Sequence, residues 1–121
     1  MTTDDVILVI DDDPAIVDAL RMLLEIEGFS SKGYSGGAAF ETIAEIRPRL
    51  ILLDVWLAGQ DGRKLCSRIK SDPKLQDTAV VLISAGGDLT TSATLAGADG
   101  FIEKPFDMEV VVSTVKQILS S

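Results

Sequence analysis

The chain has 121 residues, 46% hydrophobic and 25% charged, which suits one globular domain, residues 1–121, with room for a real core. Nineteen acidic against eleven basic residues leave a net charge of −8, a poor basis for binding nucleic acid or an anionic membrane surface, both of which recruit Lys and Arg. One cysteine and no histidine exclude an internal disulfide and a Cys/His metal site; with no secretory leader pattern and no apolar run near the ~20 residues of a bilayer span, a cytoplasmic protein is expected.

Strand and helix patterns alternate along the chain, as in an α/β domain. Val6–Ile10 is a continuous apolar run, expected for a strand covered on both faces. Asp13-Pro14 has the form of an N-cap with proline at the first helical position. Ile16, Val17, Leu20, Leu23 and Leu24 then repeat at helical spacing until Gly28. Phe29–Tyr34 is a polar strand suited to a sheet edge. Ser35 to Ile46 reads as a helix with Phe40, Ile43 and Ala44 on one face, ended by Pro48. Leu50–Leu53 is a second buried strand, and Trp56–Gly62 reads as a loop. A helix from about Arg63 to Lys70 turns Leu65, Cys66 and Ile69 inward, with Cys66 read as packing. Ser71–Thr78 is a polar connection, Ala79–Ile83 a strand, and Leu89–Leu95 a short helix. Phe101–Glu103 is the last strand, and Val110, Val111, Val115, Ile118 and Leu119 mark the last helix.

Five strands and five helices in this order predict a doubly wound parallel sheet, strand order 2-1-3-4-5, with helices on both faces. Ligands of such sheets bind at the carboxyl ends of the strands. Four of the strands end there on reactive groups: Asp11-Asp12-Asp13, Asp54, Ser84 and Lys104-Pro105. Asp54 is the candidate nucleophile, since a carboxylate can take a phosphoryl group as an acyl phosphate. Asp11 and Asp12 can hold Mg²⁺, a hard cation content with a few carboxylates plus water. Lys104 offers a compact positive charge and Ser84 a hydroxyl donor. Without metal, at least one of the clustered carboxylates is expected to have a raised pKa. Taken singly, each element has a plainer reading as a helix cap, a strand end or a turn. Their co-occurrence at one sheet edge favours the chemical one.

Ile10-Asp11-Asp12-Asp13-Pro14, Leu52-Leu53-Asp54 with Asp61-Gly62 further on, Ser84-Ala85 and Lys104-Pro105-Phe106 together resemble the receiver domains of two-component response regulators, from Val6 to Leu119. The resemblance implies a flavodoxin-like (βα)5 three-layer sandwich of the CheY-like superfamily. It implies that Asp54 accepts phosphate from a phosphohistidine on a sensor histidine kinase or histidine phosphotransfer protein. Asp12, Asp54 and the Trp56 backbone carbonyl would ligate Mg²⁺, with Asp11 acting largely through water. Ser84 and Lys104 would bind the phosphoryl oxygens, and the Lys104–Pro105 bond would be cis. Phe101 falls at the aromatic switch position, turning inward as Ser84 moves, so that the face of the fourth helix, fifth strand and fifth helix changes for a partner. That partner would be a downstream protein or an output domain outside this chain, with a phosphorylation-dependent homodimer as a further arrangement.

The chain departs from the family pattern at Leu57-Ala58, where Met-Pro is usual, and at Ser84, where Thr is commoner. Trp56 and Gly86 stand two residues past Asp54 and Ser84, and phosphate lifetime is expected to be set there, the plainer reading of Trp56 being an exposed contact for a partner. Two other functions compete. A Mg²⁺-dependent aspartyl phosphohydrolase of the haloacid-dehalogenase type needs an Asp where Trp56 stands. A receiver-like module that binds without phosphorylation would not need the intact set. A flavin site is disfavoured because an anionic pocket repels the cofactor phosphate. Met1 suggests a natural start, and the chain is expected to be a stand-alone regulator or part of a longer one.

Overall fold

A computed structural model of the chain describes residues 6–36, 40–57, 59–84 and 96–120. Within them the elements are β1 (Val6–Asp11), α1 (Pro14–Ile26), β2 (Ser30–Ser35), α2 (Phe40–Ile46), β3 (Leu50–Asp54), β4 (Trp56–Leu57), β5 (Gln60–Asp61), α3 (Gly62–Ser71), β6 (Ala79–Ser84), β7 (Gly100–Glu103) and α4 (Met108–Leu119). The helix expected at Leu89–Leu95, and Gly86 with it, lies outside the described residues, so α4 is the expected fifth helix.

Alternation along each central strand builds two separate cores. Leu8, Ile10, Ile51, Leu53, Val80 and Leu82 point to one face, where α2 and α3 cover them with Ile43, Leu65, Cys66 and Ile69. Ile7, Val9, Leu50, Leu52, Val81 and Ile83 point to the other, covered by α1 and α4 through Val17, Leu20, Leu24, Val111 and Val115. Strands buried on both sides need no polar positions, which is why these runs read as continuous apolar stretches. The sheet is parallel throughout, in the order β2-β1-β3-β6-β7. Counting main-sheet strands alone, that is the expected 2-1-3-4-5, and the polar β2 is an edge.

Several boundaries differ from those expected, and the differences matter for the site. Three strands run one residue further, because Asp11 pairs with Ser35, Asp54 with Ile83 and Ser84 with Glu103. Each reactive residue is therefore the last rung of a ladder and not the first of a loop. Ser35 belongs to β2 and is not part of α2. That helix ends at Ile46, with Arg47 at φ 49, because the residue before a proline cannot continue the helix. The segment expected as a loop, Trp56–Gly62, is corrected: β4 and β5 form a two-rung antiparallel hairpin, and Gly62 opens α3. Strands of two residues are too short to show a period. The polar connection after α3 also hides Leu75, 1% exposed, and buried Thr78, whose hydroxyl donates to the Pro48 carbonyl at 2.9 Å.

Candidate functional site

The topological switch lies between β1 and β3, the neighbours at which the chain's winding reverses. Asp11 ends one and Asp54 the other, and both are buried, at 2% and 5% exposure. Asp13 leaves the strand to cap α1, its Oδ1 accepting from the Ala15 amide at 2.9 Å, with Pro14 next in the helix. This tight turn lets the Asp13 amide donate back to Asp11 Oδ1 at 2.9 Å. Asp12 is exposed at the rim.

Lys104 reaches in from beyond β7. Its backbone amide donates to the Ser84 carbonyl at 3.0 Å, prolonging the β6–β7 ladder by one bond. Its Nζ lies 3.0 Å from Asp11 Oδ2 and 3.7 Å from Asp54 Oδ2. One ammonium thus bridges two buried carboxylates. The Lys104–Pro105 bond is cis, as the resemblance implied. Ser84 is buried at the end of β6, whereas Phe101 on β7 is 39% exposed, pairing in register with Leu82.

The Asp54 carboxyl is held above its ordinary pKa of 3.8. Burial is the leading cause and the neighbouring Asp11 carboxylate the next; the Lys104 ammonium and the Trp56 amide, which donates to Asp54 Oδ1 at 3.3 Å, pull the other way, and Asp12 adds a smaller upward push. The expected raised carboxyl is therefore Asp54. Lys104→Met is expected to push the Asp54 pKa higher and to destabilise the fold at neutral pH, since two buried carboxylates lose their shared cation. Carbon-13 titration of the carboxyl and chemical denaturation read the two effects; an unmoved Asp54 pKa would refute the bridge.

Among the described residues no three acidic, cysteine or histidine side chains close into a ready-made metal cage. The cleft instead offers hard oxygen donors that repel one another, a set suited to a cation that keeps most of its own water. The Cys66 thiol takes no part: it is fully buried, and burial pushes its pKa up to about 11.

The hairpin β4–β5 belongs to the site as well. Gly62 donates its amide to the Val55 carbonyl at 2.8 Å, which folds the start of α3 against the acceptor strand. Asp61 caps α3 through the Arg63 amide, and the Arg63 guanidinium grips the same carboxylate by Nε at 3.0 Å and Nη2 at 2.9 Å. Arg63 was not among the expected site residues. Its only sequence signal is an arginine two places after a capping aspartate, a spacing that also occurs at ordinary helix starts.

A doubly wound, flavodoxin-like domain with carboxylates at its switch point and a lysine bridging them is thus in place. Residues 7–116 match the family model of the response regulator receiver domain, and the chain belongs to that family. Among curated relatives it is 38% identical over 120 residues to the nitrogen assimilation regulatory protein NtrX of Azorhizobium caulinodans, covering 95% of this chain and 26% of that one. It is 34% identical over 116 residues to the DNA-binding dual master transcriptional regulator RpaA of Synechocystis, covering 93% and 48%. The chain spans about half or less of the length of these relatives. Among solved structures, the receiver domain of a signal transduction histidine kinase from Syntrophus aciditrophicus superposes with a TM-score of 0.87 at 33% identity, over 96% of this chain and 90% of that. The receiver domain of NtrX from Brucella abortus gives 0.84 at 34% identity, over 95% and 98%.

Proposed function

We propose that this receiver domain is a phosphoacceptor switch in which Asp54 takes a phosphoryl group from a phosphohistidine on a sensor histidine kinase or histidine phosphotransfer protein. The observation that carries the reading is the Asp54 carboxylate, pressed upward in pKa by burial and then by Asp11, and facing the Lys104 ammonium at the end of a parallel sheet. An Asp54 carboxylate oxygen bonds to phosphorus, the P–N bond breaks, and the electron pair leaves on the imidazole. Only the ionised carboxylate is a nucleophile, so Lys104 and the Trp56 amide serve the reaction by favouring that form. After transfer, Lys104 Nζ exchanges Asp54 for a phosphoryl oxygen, and the Ser84 hydroxyl donates to another.

Asp12, Asp54 and the Trp56 carbonyl would hold Mg²⁺, with Asp11 acting through water; the cation supplies charge neutralisation between carboxylates and phosphoryl oxygens. The domain then turns over only its own phosphoryl group. Its readout follows from Ser84 moving inward and Phe101, now partly exposed, turning after it, which alters the face formed by β7 and α4. A cytoplasmic location, a downstream protein or output domain as reader, and a phosphorylation-dependent homodimer complete the reading. Incubation with acetyl phosphate, with and without Mg²⁺, followed by intact mass and peptide mapping, tests it. One metal-dependent phosphoryl group on Asp54 is expected; its appearance elsewhere, or Mg²⁺-independent labelling, would overturn the proposal.

A further inference from the structure

Trp56 is 60% exposed, yet it is not loose. It pairs directly with Asp61 across the β4–β5 hairpin, so both side chains project from the same face, opposite to buried Leu57. The Arg63 guanidinium sits with its Cζ 4.9 Å from the indole centroid, within the range of a cation–π contact with the best aromatic partner for it. Asp61 fixes that guanidinium with two parallel bonds while capping α3 with the same carboxylate. Arg63 in turn holds the Asp61 carboxyl below the usual carboxylate range, so the grip persists through mildly acidic pH. The main chain of Trp56 meanwhile donates to Asp54 Oδ1 at 3.3 Å. A line of contacts therefore runs from helix α3 through Asp61, Arg63 and Trp56 to the acceptor carboxylate.

We infer that Arg63 is a positioning residue that acts through Trp56: it pins the indole at the rim of the cleft as a fixed shield, slowing the loss of phosphate from Asp54. This rests on the phosphoacceptor reading. In that loss, water oxygen bonds to phosphorus and the bond between phosphorus and the Asp54 oxygen breaks. The electron pair returns to the carboxylate, and the water protons leave on orthophosphate and its surroundings. No step of this uses Arg63 directly. Its part is to reduce the freedom of the large, flat side chain whose own backbone amide donates to the acceptor carboxylate. An unpinned indole rotates about its own χ angles and shields only part of the time.

The test compares Arg63→Gln, Arg63→Lys, Trp56→Ala and the double variant Arg63→Gln/Trp56→Ala. Each is loaded with acetyl phosphate and Mg²⁺, freed of donor, and followed by intact mass as the phosphoryl group is lost. Arg63→Gln is expected to lose it about two- to fivefold faster, the factor matching an exposed cation–π contact. Arg63→Lys keeps the charge but not the planar fork, and should fall between. In the Trp56→Ala background the Arg63 change should do nothing further. Trp56 is the chain's one tryptophan, so iodide and acrylamide quenching reads its freedom directly, and Arg63→Gln should raise it. A wild-type adduct whose lifetime is indifferent to Arg63→Gln, or an Arg63 effect that persists without Trp56, overturns this inference and leaves the phosphoacceptor reading intact. No adduct on the wild type, together with no fluorescence response to beryllofluoride, overturns both.

Discussion

Gly62→Ala is expected to destabilise the domain by about 2 kcal/mol and to spoil the acceptor site with it. A Cβ at this position would stand 2.3 Å from the Asp54 carbonyl oxygen, 3.0 Å from Val55 Cα and 3.1 Å from the Asp54 carbonyl carbon. All three neighbours are backbone, so no side chain can turn aside to make room. They also belong to the end of β3, whose ladder to β6 is fixed by the Asp54–Ile83 pair, while the Gly62 amide is tied to the Val55 carbonyl. Relief must come from moving the start of α3 away, which stretches that hydrogen bond and shifts the Asp61 cap. At this chain length the loss corresponds to roughly 6–10 °C in Tm. Calorimetry reads the stability, and the rate of acetyl phosphate labelling reads the site. A variant with wild-type Tm would mean that β3 and α3 do not meet as closely as described. The glycine is thus required by a close approach, with no positive φ involved.

That approach also marks the limit of what the sequence makes legible. The central strands were readable because burial on both faces leaves an uninterrupted apolar run, and the order of the sheet follows from alternation and crossover handedness. Asp11, Asp54, Ser84 and Lys104 could be placed at one edge because each follows such a run. Their mutual arrangement could not. Nothing in the spacing says that Lys104 Nζ stands closer to Asp11 than to Asp54, or that Asp12, though adjacent to Asp11, is exposed while Asp11 is buried. Strand pleating sends neighbours to opposite sides, but which side the turn takes depends on the cap that Asp13 forms. The β4–β5 hairpin escaped detection for a different reason. Two residues per strand carry no period, and the hairpin is held by side chains, Arg63 on Asp61 and on Trp56, that only folding brings together. Leu75 likewise sits in a polar stretch whose single apolar residue is drawn into the core under α3.

The largest effect is expected at Asp54 itself, where one substitution should remove the chemistry and strengthen the fold. Asp54→Asn keeps the shape of the side chain but takes away the nucleophilic oxygen pair, so the phosphoryl adduct should be abolished. The same change removes a buried charge. Since the folded pKa of Asp54 is raised above 3.8, chiefly by burial and then by Asp11, the carboxyl favours folding fully only below 3.8. That contribution is lost as pH rises through the elevated folded value. Above it, the ionised side chain is a cost that asparagine does not carry. Lys104 is not orphaned by the change, because its shorter contact is to Asp11 at 3.0 Å. Asp54→Asn should therefore be more stable than the wild type at neutral pH by about 1 kcal/mol, a common gain when the stability cost of a functional residue is lifted. The advantage should shrink on acidification and vanish below 3.8, where both side chains are neutral. Asp61 gives the opposite sign: its carboxyl is held down by the Arg63 hydrogen bonds, so Asp61→Asn should lose stability at neutral pH and match the wild type only in acid. Urea denaturation of the three proteins across this range decides the matter. If Asp54→Asn were less stable at neutral pH, or if its gain persisted below 3.8, the acceptor carboxylate would not be the strained group that its surroundings make it.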